Sequence, residues 1–208
     1  MKSLTVIVVQ LTVAMLAGCV HSVPSLPGTG AQHSTARSDG HHANAPLLQL
    51  SPSALGKSMA AQQRLTIIAP AMQPRTLDVL LEVDAQTVRL ALLQMGQVAA
   101  RLEWDGVFMQ ASQSRWWPRE VSAERILSDM QLALWPTAAI QAALPTPWQL
   151  QEQKGQRVLL HEDERVIVVR RPSLQAYEIE YVRANWLLRI DSQSLLEIPA
   201  ESANEVQP

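Results

Sequence analysis

The sequence is poor in the groups that usually carry chemistry. It contains a single cysteine, Cys19, so an internal disulfide is excluded. A glycine-rich phosphate loop and the GxSxG, HExxH and CxxC motifs are all absent. The formal net charge is −2, whereas nucleic-acid binding needs concentrated positive charge. These absences predict a protein that is not an enzyme, holds no cofactor or metal, and binds no nucleic acid.

Long apolar runs are also missing, except at the amino terminus. The run between residues 4 and 17 is about 14 residues long and follows one positive residue, Lys2. That length suits the apolar region of a secretion signal and is short for a bilayer span, which needs roughly 20 residues. The pattern predicts a signal peptide over residues 1–18 and no transmembrane helix after it.

The end of that run carries a recognisable motif. Residues 16–19, Leu-Ala-Gly-Cys, resemble the lipobox of bacterial lipoprotein signals. The resemblance implies cleavage before Cys19 and lipidation of its thiol, and acyl chains contribute roughly 0.8 kcal/mol per buried methylene to membrane anchoring. Asp at the next position would favour retention in the inner membrane. Val20 therefore implies the periplasmic face of the outer membrane.

Composition divides the remaining chain into three parts. Residues 19–46, which begin with the lipidated cysteine, contain mainly Ser, Pro, Gly, His, Ala and Thr and predict a flexible linker. Residues 47–192 contain the periodic apolar patterns and predict one carrier domain. Residues 193–208 are polar and predict a disordered tail.

The first half of this domain alternates with a period of two. Residues 76–84 and 87–93 each place apolar side chains on one face, which indicates half-buried antiparallel strands. A strand over 97–104 follows, and Asp105-Gly106 predicts a type I′ hairpin turn. A short helix is expected over 52–61, before a first strand over 64–69.

The middle of the domain changes to a helical period. Ile126, Leu127 and Met130 share a helical spacing, with Ser122 as the expected N-cap. A second short helix is expected over 137–144, capped at Thr137. Period two then returns in four more strands, at 157–161, 165–171, 177–183 and 186–190. Strands, two helices and strands in that order predict an α+β fold of about eight strands.

The apolar positions of the strands and of the first helix are expected to face one shared space. They are the candidate ligand-binding residues Leu77, Val79, Leu81, Val88, Leu90, Leu92, Ile126, Leu127 and Met130. The alternative is an ordinary close-packed core, which is the commoner role of such stripes.

Two adjacent tryptophans, Trp116 and Trp117, precede the first helix. Neighbouring residues of an extended chain point to opposite sides. We therefore expect one of them in the core and the other exposed at a cavity mouth, where amphipathic rings are favoured.

A lipobox, a linker, alternating strands and two helices inserted midway together resemble the LolA/LolB superfamily of lipoprotein carriers, over about residues 48–191. The most specific piece is 89–96, Arg-Leu-Ala-Leu-Leu-Gln-Met-Gly, followed by the strand 97–104. It is similar to a LolB strand that ends in a protruding loop with an exposed leucine before glycine. Residues 122–144 stand where LolB has its lid helices. Within the superfamily, the chain looks like a family of uncharacterised Gram-negative outer-membrane lipoproteins often associated with aryl polyene gene clusters.

The resemblance implies a curved antiparallel sheet, an incomplete LolB-like half barrel, with helices covering its concave apolar face. Such a cavity binds acyl chains. Met95 stands in place of the LolB leucine, which implies a loop that contacts membrane or cargo during transfer. A divergent relative can carry another lipid or a polyene, so the resemblance supports a carrier better than lipoprotein insertion itself.

Two functions remain open. The first is a non-enzymatic carrier or receptor, anchored to the outer membrane, for a lipid, acyl chain, polyene or lipidated cargo that a periplasmic carrier protein could deliver. The second is a structural or assembly lipoprotein that docks a periplasmic partner and keeps its concavity filled. A remaining ligand cavity distinguishes them, because apolar ligand sites usually measure about 300–1,000 Å³.

Overall fold

The structure is a computed structural model that describes residues 45–70, 73–117 and 121–199. The predicted signal peptide, Cys19, most of the linker and residues 200–208 of the tail lie outside the described residues. In the part that is described, no helix is long and apolar enough to cross a membrane.

An open, curved antiparallel sheet dominates the fold. Its strands are β1 (Lys57–Ile68), β2 (Arg75–Val83), β3 (Val88–Gln94), β4 (Gln97–Trp104), β5 (Met109–Gln113), β6 (Trp148–Gln153), β7 (Gln156–His161), β8 (Glu164–Ser173), β9 (Ala176–Tyr181) and β10 (Trp186–Pro199). Their spatial order is β5-β4-β3-β2-β1-β10-β9-β8-β7-β6, which leaves β5 and β6 at the edges. The sheet thus consists of two meanders joined where β1 pairs with β10.

Two boundaries expected from the sequence are wrong near the central strand pair, β1 and β10. The helix expected over 52–61 is only a 3₁₀ turn, Pro52–Leu55, which Gly56 ends with a left-handed φ of 78°. Lys57 then starts β1, whose first half pairs with the last residues of β10, Lys57 lying opposite Pro199. The predicted tail from residue 193 therefore starts too early, because the backbone of β1 continues to pair through Pro199.

Two helices connect the meanders, as the change of period predicts. Helix α1 (Ala123–Leu134) begins after Ser122, whose hydroxyl accepts a hydrogen bond from the Arg125 N–H at 3.2 Å, and ends before Pro136. Helix α2 (Thr137–Ala143) follows directly, with Pro136 at its N-cap position. Thr137 does not cap it, because the threonine hydroxyl donates to Glu152 of β6 instead.

Candidate functional site

The candidate ligand-binding residues do come together. The six strand residues are buried in a single hydrophobic cluster with Leu127 and Met130, and Ile126 is partly buried against it. Helix α1 therefore contributes to the same buried cluster as β2 and β3, and its polar contact with the sheet runs to β9 through Asp129 and Tyr181. The apolar side chains of the cluster fill the space that they share, so the interior is closed in this state.

Helix α1 carries buried polar side chains as well as apolar ones. Arg125, Ser128, Asp129 and Gln131 are all buried. Buried polar groups need hydrogen-bond partners, since an unmade bond costs about 1–3 kcal/mol. The apolar spacing of α1 did not identify these four residues, because the polar positions of an amphipathic helix usually face solvent.

Three of these side chains, Arg125, Ser128 and Gln131, have partners in residues 45–51, which we call the strap. The Leu50 N–H donates to Gln131 Oε1 at 2.9 Å, and Gln131 Nε2 donates back to the Leu50 carbonyl at 2.8 Å. The Leu48 N–H donates to Ser128 Oγ at 3.0 Å. The strap therefore crosses α1 and satisfies its polar face.

Two tryptophans and one arginine complete the hold on the strap. Trp104 Nε1 of β4 donates to the Leu50 carbonyl at 2.8 Å, and Trp135 Nε1 donates to the Ser51 carbonyl at 3.0 Å. Arg125 Nη2 donates to the Ala45 carbonyl at 2.8 Å. The strap is thus fixed to both the helix and the sheet.

Asp129 is a buried carboxyl group that links α1 to the second meander. The Tyr181 hydroxyl of β9 donates to Asp129, and Arg125 Nη1 lies 3.9 Å from the same carboxylate oxygen, Oδ1. Burial raises the pKa of Asp129 to about 7, although the Tyr181 hydrogen bond and the charge of Arg125 act in the opposite direction. Burial and the neighbouring Asp129 also raise the pKa of Tyr181.

The carboxyl end of α1 is held by Arg157 of β7. Its Nη1 donates to the carbonyls of Leu132, Ala133 and Trp135, at 3.0, 3.2 and 2.8 Å. A cation at this end satisfies carbonyls that lack helical partners and complements the helix dipole. Polar contacts therefore hold α1 at its end as well as along its length.

A cavity of about 240 Å³ lies beside this end of the helix. Its lining is mixed. The charged members include Lys57, Glu152, Arg157, Arg171 and Glu197, and the apolar members include Met59, Leu134, Val169 and Leu174. The cavity is smaller than the roughly 300–1,000 Å³ of drug-sized ligand sites. This cavity alone is therefore too small for a whole acyl ligand.

The loop expected to transfer cargo is a tight hairpin between β3 and β4. Met95 has a φ of 51° and Gly96 a φ of 75°, which matches the two positive angles of a type I′ turn. The Met95 side chain is 95% exposed. An apolar side chain thus stands in solvent at the tip of the sheet.

The two adjacent tryptophans differ in burial as expected, but they lie in a turn, in which the Trp117 N–H donates to the Ser114 carbonyl at 3.0 Å, and not in an extended segment. Trp117 is 7% exposed and donates from Nε1 to the Val121 carbonyl at 2.9 Å, whereas Trp116 is 51% exposed. The Ser114 N–H donates to the Ala99 carbonyl at 2.8 Å, so this segment lies beside the start of β4. Trp116 and Met95 therefore share one end of the sheet.

Comparison with known proteins places the chain in a family. Residues 60–194 match the model described as "Protein of unknown function (DUF3261)". The chain belongs to the DUF3261 family. No curated protein matches it.

Three solved structures are similar to this DUF3261 chain at low identity. A LolA superfamily protein from Nitrosomonas europaea is 7% identical with a TM-score of 0.40, covering 67% of this chain and 86% of that one. A putative outer membrane lipoprotein-sorting protein domain from Vibrio parahaemolyticus is 7% identical with a TM-score of 0.38, covering 73% and 90%. A DUF1329 family protein from Desulfovibrio piger is 10% identical with a TM-score of 0.30, covering 67% and 85%.

The DUF3261 match has a clear relation to the site. It includes α1, strands β2 and β3 and the Met95 hairpin, but it begins after the strap and after Cys19. Among the described residues, no group of three or more His, Cys, Asp or Glu side chains could hold a metal ion. What this chain can do is therefore best argued from α1 and its surroundings.

Proposed function

We propose that this chain is a non-enzymatic carrier or receptor for a hydrophobic ligand, anchored to the outer membrane through Cys19. One observation carries the proposal. Helix α1 belongs to the hydrophobic cluster of an open sheet, and three of its buried polar side chains, Arg125, Ser128 and Gln131, are bound to a short strap. Its fourth, Asp129, is bound to Tyr181 of β9. Such a helix can act as a lid over the hydrophobic cluster, which contains the six buried side chains of β2 and β3.

Binding inside the hydrophobic cluster requires the lid to move, because the cavity beside α1 is too small for an acyl chain. Opening breaks the strap and Arg157 contacts, and each hydrogen bond contributes about 0.5–1.5 kcal/mol net. A bound ligand offsets this cost by roughly 25 cal/mol for each Å² of apolar surface that it covers. A lipid, an acyl chain, a polyene or a lipidated cargo offers several hundred Å² and fits this requirement.

Delivery uses the end of the sheet that carries Met95 and Trp116. Their exposed apolar surfaces suit contact with acyl chains of cargo or of the membrane, and tryptophan favours the interfacial region. In this proposal a periplasmic carrier protein supplies the ligand and the outer membrane receives it.

The closed interior favours one other function. The strand and helix side chains fill the shared space themselves, as expected for an assembly lipoprotein that docks a periplasmic partner and binds no ligand. The two functions differ in whether α1 ever leaves the sheet.

Two methionines give a matched test. Met130 of α1 is buried and Met95 is 95% exposed, and glutamine closely matches methionine in size. We expect Met130→Gln to weaken binding of a fluorescent polyene fatty acid at least several-fold, because a ligand would meet an amide in the apolar space. Met95→Gln should leave binding unchanged and slow transfer to liposomes.

Native mass spectrometry of the purified protein supplies the second measurement, since a resident lipid should appear as added mass. A folded protein that carries no lipid and binds no fatty acid would support the assembly function instead.

A further inference from the structure

The side chains that hold the strap bind its main-chain atoms, which a lid alone does not need. Gln131 contacts both the N–H and the carbonyl of Leu50, and Ser128, Arg125, Trp104 and Trp135 also contact main-chain atoms of the strap. We propose that these five side chains form a binding site for an extended peptide, which the chain's own strap occupies in this structure. A segment of another polypeptide can take the place of the strap. The inference goes beyond ligand carriage and does not rest on it.

The hydrogen bonds of this site go only to main-chain atoms of the strap, so they select an extended conformation rather than particular side chains. The paired hydrogen bonds of Gln131 to one residue repeat the pattern by which neighbouring strands recognise each other. Main-chain recognition of this kind gives affinity for extended peptides in general, and side-chain pockets then give specificity.

The pockets for side chains are defined by burial along the strap. Leu48 and Leu50 are buried in the hydrophobic cluster, whereas Leu47 is 48% exposed and Gln49 also faces solvent. This is the alternation of an extended chain. The partner is therefore an extended segment with large apolar residues at two alternate positions.

The buried polar side chains explain why the site stays occupied. Ser128 and Gln131 lie at 3% and 0% exposure, and departure of the strap would remove these hydrogen-bond partners. A strap attached to the same chain competes at a high effective concentration, in the millimolar range for a short connection. A partner peptide is therefore excluded until the strap is weakened or displaced.

A binding experiment with the full chain tests this. The probe is a fluorescein-labelled peptide with the sequence of residues 45–51, and the protein is the full chain carrying Cys19→Ala. Leu48→Glu/Leu50→Glu weakens the strap without changing the site. We expect this variant to bind the probe at least tenfold more tightly than the chain with an intact strap.

Three controls assign the binding to this site. Adding Gln131→Met to the weakened-strap variant should reduce binding at least tenfold. N-methylation of Leu50 in the probe should do the same, because it removes the N–H that donates to Gln131. N-methylation of Gln49 is the matched modification and should have little effect. Equal binding by the Gln131→Met variant, or by the Leu50-methylated probe, would overturn the assignment.

A second measurement remains decisive if the weakened-strap variant does not fold. In the chain with an intact strap, excess unlabelled peptide should accelerate hydrogen exchange at the Leu48 and Leu50 amides at least several-fold, since it displaces the strap that protects them. No acceleration at millimolar peptide would refute exchange between the strap and a partner.

Discussion

The Met95 hairpin combines two features that each oppose stability. Its φ of 51° lies in the left-handed region, which costs a residue with a Cβ atom about 1–2 kcal/mol, although asparagine adopts it more readily. Its side chain is 95% exposed, so it also forgoes the roughly 1.5–3 kcal/mol that burial of a methionine provides. We infer that the methionine is retained for a contact that this structure does not contain.

Met95→Asn separates stability from that contact. Asparagine followed by Gly96 is a preferred pair for a type I′ turn. We therefore expect the free energy of unfolding to rise by about 1 kcal/mol, and the melting temperature to rise by about 2–4 °C for a domain of this size. Loss of apolar contact worth about 1.5–3 kcal/mol should slow transfer of a fluorescent fatty acid to liposomes by about 10- to 100-fold.

The assay follows melting, equilibrium binding of the fatty acid, and its transfer rate on the same preparations. Met95→Leu is the control, because it keeps the apolar side chain and should retain the transfer rate. A more stable variant with an unchanged transfer rate would refute the transfer role. A lower melting temperature would show that the side chain packs against the fold.

Three further predictions concern the predicted anchor Cys19, the buried Asp129 of α1, and Arg157, which binds the end of α1. Cys19→Ala should yield a folded protein that no longer sediments with membranes in fractionation. The raised pKa of Asp129 should make folding less favourable as pH rises from about 4 to about 7, because the carboxyl of the unfolded chain releases its proton first. Asp129→Asn should lack this contribution, so the free energies of unfolding of the two proteins, measured with urea, should change differently with pH in this range. Arg157→Met should lower the free energy of unfolding by about 1–3 kcal/mol, measured at constant denaturant slope. Arg170→Met, which breaks an exposed ion pair with Glu180, is its control and should cost less than about 1 kcal/mol.

Hydrophobic periodicity predicted most of the helices and strands, and it failed where pairing with neighbouring strands determines the secondary structure. The alternation in β2 and β3 and the helical spacing of α1 follow directly from which side chains need burial, and the structure confirms them. The second half of β1 was predicted, as a strand from residue 64, but residues 57–63 are strand only because they pair with β2 and β10. The type I′ prediction at Asp105-Gly106 was wrong. Four residues, 105–108, connect β4 with β5, and among them only Gly106 has a positive φ, whereas a type I′ turn needs two. The Asp105 carboxylate instead accepts the Val107 and Phe108 N–H groups.

The candidate site was only partly predictable for a similar reason. Hydrophobic periodicity identified Leu127 and Met130, since their burial leaves a trace in the sequence. It did not identify Gln131, whose hydrogen bonds reach residues about 80 positions away along the chain. Polar residues on a helix face look the same whether they contact water or a strap, and only the three-dimensional arrangement distinguishes the two.

The position of the strap in the chain connects the two proposals with the predicted anchor. The strap continues directly from the predicted linker, so the segment that holds α1 is also the last part of the path from Cys19 to the domain. Each residue released from the strap adds at most about 3.6 Å to that path, or roughly 25 Å for the whole strap. Displacement of the strap by a partner peptide would therefore loosen the lid and extend the reach of the domain from the membrane in one step. A partner that binds the α1 site would thus promote ligand uptake and approach to the donor together, whereas a partner that binds elsewhere would do neither.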